Sequence, residues 1–178
     1  MIVAKHVADF LTIARAVMAF LFVRVGLLPL DLALPLASWM LLFCWNTDLF
    51  DGLLARRSRR RFNTWIGDND LLVDMLVSAG VFTFLLQTGF ISLFQAAAYL
   101  IIWLAIFLLM GIPRPLGMLV QAPIYFCLIW VAVRDAPEHG WWLVVWLGSV
   151  LIITWPRFPN EVIPDFLQGM RNLISRLR

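Results

Sequence analysis

Long apolar stretches separated by short polar punctuation dominate this chain. They run approximately over residues 11–30, 32–52, 71–92, 94–112, 115–133 and 140–156, each close to the roughly 20 residues a helix needs to cross the hydrocarbon of a bilayer. The pattern predicts an all-α integral membrane protein with about six transmembrane helices. Pro29, Pro35, Pro113 and Pro115 mark expected breaks, because proline restricts helix continuation. The connections are short, so 1–178 reads as one domain with its helix bundle over 11–156.

Both ends carry a different periodicity. Ile2, Val3, Val7 and Phe10 can share an apolar face beside Lys5, His6 and Asp9, which predicts a short interfacial segment over 1–10. Val162, Phe166, Met170, Leu173, Ile174 and Leu177 recur at helical spacing against Arg171, Arg176 and Arg178. This predicts an interfacial amphipathic helix over 160–178, lying on an anionic membrane surface or meeting a partner. Asp9 and Arg15 interrupt the first apolar run and no small-residue cleavage site follows, so that run reads as a retained span rather than a signal peptide.

Composition and charge sharpen the picture. Of the 178 residues, 62% are hydrophobic and only 14% charged, with mean hydropathy +0.88, more than a soluble domain of this size needs for its core. Lys5 and Arg15 lie at the first span's start, Arg56, Arg57, Arg59, Arg60 and Arg61 follow the second, Arg114 follows the fourth, and Arg157, Arg171, Arg176 and Arg178 follow the sixth. With six spans all these segments share one side, and the positive-inside rule puts that side and both termini in the cytoplasm. Arg24, late in the first span, reads as a residue snorkelling to the opposite interface. The net charge of +3 and pI near 9.4 follow from these arginines and do not imply nucleic-acid binding.

Against this background four carboxylates stand out. Asp48 and Asp51 are three residues apart and Asp70 and Asp74 four apart, so each pair lies on one helix face. Two like charges at about 4 Å repel by roughly 4 kcal/mol at an effective dielectric near 20, so such a cluster must stay partly protonated or hold cations. Oxygen-only ligation suits magnesium, manganese or calcium. A solvated helix end or structural ion pairing is the plainer alternative, although acids within membrane sequence usually serve function.

The run Asp48-Leu-Phe-Asp51-Gly52-Leu-Leu-Ala55-Arg56, followed by Gly67-Asp68-Asn69-Asp70-Leu-Leu-Val-Asp74, resembles the signature of the CDP-alcohol phosphatidyltransferases, D-x2-D-G-x2-A-R and then G-x3-D-x3-D. The first half matches in full. In the second, Gly67 precedes Asp70 with two intervening residues rather than three, and Ile66 occupies the usual glycine place. Leu11-Thr12-Ile13-Ala14-Arg15 is similar to the start of that family's first membrane helix, with Asp9 where asparagine is common.

The resemblance implies a phospholipid-synthesis transferase that moves a substituted phosphate from a CDP-alcohol, such as CDP-diacylglycerol, to an alcohol acceptor and releases cytidine monophosphate. It implies two magnesium or manganese ions held by Asp48, Asp51, Asp70 and Asp74, with Asp74 also the base that removes the acceptor's proton. Gly52, Ala55, Arg56 and Gly67 become donor-binding residues. The implied partners are a CDP-linked lipid donor, a small or phosphorylated alcohol, membrane lipid and a second copy in a homodimer, at the inner membrane of a prokaryotic cell. Met75 stands where relatives that use glycerol phosphate often carry lysine. The alternative from the same residues is an inactive metal-binding membrane scaffold or a divalent-cation transporter.

Other groups have two readings each. Small residues such as Gly52 and Ala55 also pack membrane helices, and Arg56 also marks a cytoplasmic interface. Asp68 and Asn69 suit a helix cap. Arg57, Arg59, Arg60 and Arg61 suit topology or phosphate recognition. Thr12 and Arg15 are pocket residues or interfacial anchors. Cys44 and Cys127 read as reduced packing residues, and Trp141, Trp142 and Trp146 as outer-interface anchors.

Overall fold

The computed structural model describes the backbone of residues 2–57 and 70–175, and within it the side chains of 10–50, 71–173 and 175. Among the described residues every regular element is helical. The helices are α1 (Ile2–Val25), α2 (Leu30–Arg57), α3 (Asp70–Gln87), α4 (Leu93–Met110), α5 (Arg114–Asp135), α6 (Pro137–Ile153) and, after a single π-helical segment at Phe158–Val162, α7 (Ile163–Ser175).

Each of the six apolar stretches falls on one of α1 to α6, and local chemistry sets their ends. Pro29 immediately precedes α2, and its carbonyl accepts hydrogen bonds from the amides of Leu32 and Ala33. Ser92 and Gln95 form a capping box at the start of α4, satisfying amides that the first turn leaves without partners. Gly111, at φ 74°, ends that helix in a conformation that side chains with a Cβ resist. Pro113 and Pro115 flank the start of α5 as expected.

Two boundaries differ from expectation. Pro35 does not break the chain and lies inside α2; so early in a long helix it forfeits one backbone hydrogen bond while apolar packing carries the helix past it. The expected boundary near residue 10 does not interrupt the helix either, because α1 is continuous from Ile2 to Val25. No glycine or proline stands between those residues to stop it.

Among the described residues three helices are long and apolar enough to cross a membrane, Leu30–Phe50, Leu93–Met110 and Arg114–Asp135, and there are up to four if the bent pair Pro137–Ile153 and Phe158–Leu173, at 82°, makes one broken span. That is fewer than the six expected. Asp9, Arg15 and Arg24 punctuate α1, and the apolar part of α3 runs only from Leu71 to Gln87. The membrane assignment itself is strongest at α4. Leu108 and Leu109 are 79% and 78% exposed although adjacent residues point in different directions, so the helix is apolar around its circumference, as lipid requires.

The core lies where α1, α2, α3, α5 and α6 meet, around Phe22, Leu34, Leu41, Val81, Phe84, Leu128 and Leu143. α1 packs on both α2 and α3, and α5 packs on α3, α2 and α6. Gly80 lets α3 approach α1 so closely that a Cβ there would run into the backbone of Ala19. Small residues permit such approaches where apolar lipid offers no competing drive for helices to associate. Gly140 does the same between α6 and the backbone of α5 at Ala132. Tyr99 joins α4 to this group, its hydroxyl donating to the Val120 carbonyl while its ring stacks on Phe82 at 5.6 Å. α7 turns Phe166, Gly169, Met170 and Leu173 away from solvent, with Gly169 against Pro115 of α5.

Candidate functional site

α1 and the two helices packed on it, α2 and α3, each bring one charged residue to a common point. Arg15 comes from α1, Asp48 from α2 and Asp74 from α3. One guanidinium nitrogen, Nη1 of Arg15, donates to Asp48 Oδ1 at 3.0 Å and to Asp74 Oδ1 at 2.7 Å. Arg15 is 1% exposed, whereas the side chains of Asp48 and Asp74 are 53% and 32% exposed. The cation therefore forms the floor and the carboxylates the rim.

Arginine suits that floor for physical reasons. It stays protonated in almost any environment, and its planar fork can serve several carboxylate oxygens at once. A buried ion is tolerated only where partners compensate its lost hydration; here two acids from different helices do so. One turn before it on α1, Thr12 is also buried. Of the two sequence readings for Arg15, pocket residue or interfacial anchor, the structure selects the first. Arg24, by contrast, is exposed near the end of α1, and Arg134 pairs with the neighbouring Asp135 at 2.7 Å.

A cavity of about 150 Å³ opens above this floor, lined by Arg15, Cys44, Trp45, Asp48, Asp74, Val77, Gln121 and Tyr125. Two of these residues come from α5, which the sequence reading treated only as a span. Gln121 is buried and donates through Nε2 to the Gly117 carbonyl at 2.9 Å. The Tyr125 hydroxyl lies 3.4 Å from the Asp74 carbonyl oxygen and 3.5 Å from Gln121 Oε1. A glutamine and a tyrosine one helical turn apart in an otherwise apolar helix were the available signal. Cys44 was read as a packing residue; it is buried and free, and it also forms part of the cavity wall.

Trp45 separates this polar cavity from a larger apolar groove. Its ring meets Tyr125 edge-on at 5.8 Å and stacks on Trp146 at 5.1 Å. Trp146 Nε1 also donates to Asn46 Oδ1 at 3.1 Å. Trp146 thus packs α6 onto α2, whereas Trp141 and Trp142 are exposed. A buried tryptophan N–H usually needs such an acceptor, and the ring contact adds to it.

The other sequence-selected residues lie outside what is described. Gly67, Asp68, Asn69, Arg59, Arg60 and Arg61 are outside the described backbone, and Asp51, Gly52, Ala55, Arg56, Arg57 and Asp70 are outside the described side chains. The donors described are two carboxylates, the oxygen type that hard divalent cations prefer. Among the described residues no group of three or more histidine, cysteine or acidic side chains is arranged to hold a metal ion. Comparison with protein-family models, curated proteins and solved structures gives no match to this chain.

Proposed function

We propose that this protein is a metal-dependent transferase of the CDP-alcohol phosphatidyltransferase type, passing a substituted phosphate from a CDP-linked lipid to an alcohol with release of cytidine monophosphate. The observation that carries the reading is the meeting of Asp48 and Asp74, first and last acids of the sequence signature, across two helices at the mouth of a polar cavity. Residues 26 positions apart in sequence have no local reason to share one guanidinium.

In this reading Asp48, Asp51, Asp70 and Asp74 hold one or two magnesium or manganese ions, and Gly52, Ala55, Arg56 and Gly67 face the donor. Ions held by those carboxylates would supply neutralising charge for a diphosphate and a leaving phosphate. Arg15 keeps Asp48 and Asp74 in register, and Asp74 takes the proton of the acceptor hydroxyl. α1, α3 and α6 cross the membrane together with α2, α4 and α5, the arginine-rich connections and the acids face the cytoplasm, and α7 lies along that surface. Partners include membrane lipid and, by resemblance, a second copy of the chain.

The test is purified protein with CDP-diacylglycerol, magnesium or manganese and a panel of alcohols, reading cytidine monophosphate and lipid product. Metal-dependent nucleotide release that requires an alcohol is the expected result. Asp48→Asn and Asp74→Asn should each abolish it while the protein stays folded in the membrane fraction. Activity unchanged in either variant would overturn the assignment, and metal flux across vesicles without nucleotide release would favour a transporter.

A further inference from the structure

We propose that Arg15 is a built-in counter-cation that keeps Asp48 and Asp74 weak for a divalent ion alone and strong for one that arrives with a nucleotide diphosphate, so that metal and donor bind cooperatively. The proposal rests on the transferase reading and deepens it by assigning the regulation of that site to a residue of α1.

The first argument is that the cation is fixed. Arg15 is 1% exposed, and its Nη1 donates to Asp48 Oδ1 at 3.0 Å and to Asp74 Oδ1 at 2.7 Å. Thr12, one turn earlier on α1, is buried with it, and Ala19, one turn later, meets Gly80 of α3 so closely that a Cβ there would strike its backbone. The guanidinium is therefore held in a packed seam between helices rather than on a side chain able to swing into solvent. It also cannot lose its charge. A buried lysine shifts its pKa readily and can become neutral, whereas arginine stays protonated in almost any surroundings.

The second argument is what a fixed charge does to these two acids. Arg15 touches an oxygen of each, so any ion the pair holds feels the guanidinium, and burial leaves little solvent to screen that repulsion. Whatever further acids face the same point, Arg15 lowers by one charge the attraction they offer a cation. A diphosphate brings negative charge of its own and restores that attraction. Each ligand thus improves the site for the other, and linkage makes the gain equal in both directions. Arg15 acts here as a positioning residue with an electrostatic function: it sets the geometry of the acids and the order in which charge is brought to them.

The experiment uses the full chain in nanodiscs of zwitterionic lipid. Free Mn2+ is counted by its electron paramagnetic resonance signal, with no nucleoside, with CDP or with cytidine, and Mn2+ held by CDP in solution is measured without protein and subtracted. In the wild type CDP should tighten Mn2+ binding at least about tenfold, and cytidine, which lacks the charge, should leave it unchanged. Arg15→Gln keeps hydrogen-bond donors but no charge, and should bind Mn2+ alone about tenfold more tightly than the wild type, with a smaller gain from CDP. Arg15→Lys keeps the charge and should stay near wild type, which a purely structural role for the arginine fork would not produce. The proposal is overturned by Mn2+ binding that CDP does not tighten in the wild type, by an equal gain from cytidine, or by an Arg15→Gln affinity no higher than wild type; the wild-type measurements decide it even if a variant does not fold. No nucleotide release from CDP-diacylglycerol with any alcohol, together with the expected Mn2+ results, would instead remove the transferase reading and leave the effect of Arg15 on the acid pair standing.

Discussion

Replacing Arg15 with methionine keeps a long side chain but removes the cation that two carboxylates share. Both Oδ1 atoms lie within 3.0 Å of one nitrogen, so they are at most about 6 Å apart, where like charges repel by roughly 3 kcal/mol at an effective dielectric near 20. Breaking a buried ion pair by deleting one partner costs about 3–5 kcal/mol when the other stays charged. Asp48 is 53% exposed, so solvent screens much of its share, and a net loss of about 2–3 kcal/mol follows. Denaturant unfolding in micelles, followed by tryptophan fluorescence, reads this directly. The nine tryptophans include Trp45 in the cavity wall.

The sharper test is coupling. If mutual repulsion is the cause, adding Asp48→Asn and Asp74→Asn to the Arg15→Met protein should recover most of the lost stability, although each asparagine alone weakens the wild type. Contacting residues show such non-additivity, whereas independent sites do not. Arg15→Met with wild-type stability, or strictly additive effects across the set, would refute the clamp. Arg15→Lys should fall between the two, because an ammonium preserves charge but not the fork.

Two further predictions probe the scaffold. Gly80→Val places side-chain atoms against the backbone of Ala19, and should cost about 1–3 kcal/mol by overpacking while lowering nucleotide release by shifting α1, and Arg15 with it, away from α3. Ile102, in the middle of α4 and 58% exposed, should face lipid; Ile102→Arg should reduce membrane insertion by about 3 kcal/mol, whereas undiminished recovery in the membrane fraction would count against α4 as a span.

Much of the architecture was written in residue pattern. Apolar runs of bilayer length specify helices because in lipid a backbone must satisfy its own hydrogen bonds, and all six runs fall on helices. Prolines located several ends well, at Pro29, Pro113 and Pro115. Pattern was weaker where a local signal competed with packing. Pro35 suggested a break, but a helix continuing on both sides outweighed one lost hydrogen bond. Trp146 was marked by pattern only as an aromatic near a span's end, and its contacts with Trp45 and Asn46 come from tertiary packing.

The candidate site divides in the same way. Asp48 and Asp74 were legible because charge in apolar sequence is expensive and therefore conspicuous, and their helical spacing from Asp51 and Asp70 could be counted directly. Their common partner could not be counted. Arg15 lies 33 residues before Asp48 and 59 before Asp74, and only the close approach of α1 and α3 at Gly80 turns it into the floor of a site. Gln121 and Tyr125 carry no charge, so in sequence they looked like ordinary members of a membrane helix. Their place in the cavity wall arises from which face of α5 the packing of α6, α3 and α2 turns toward the acids, a choice made by contacts distant in sequence and invisible to local periodicity.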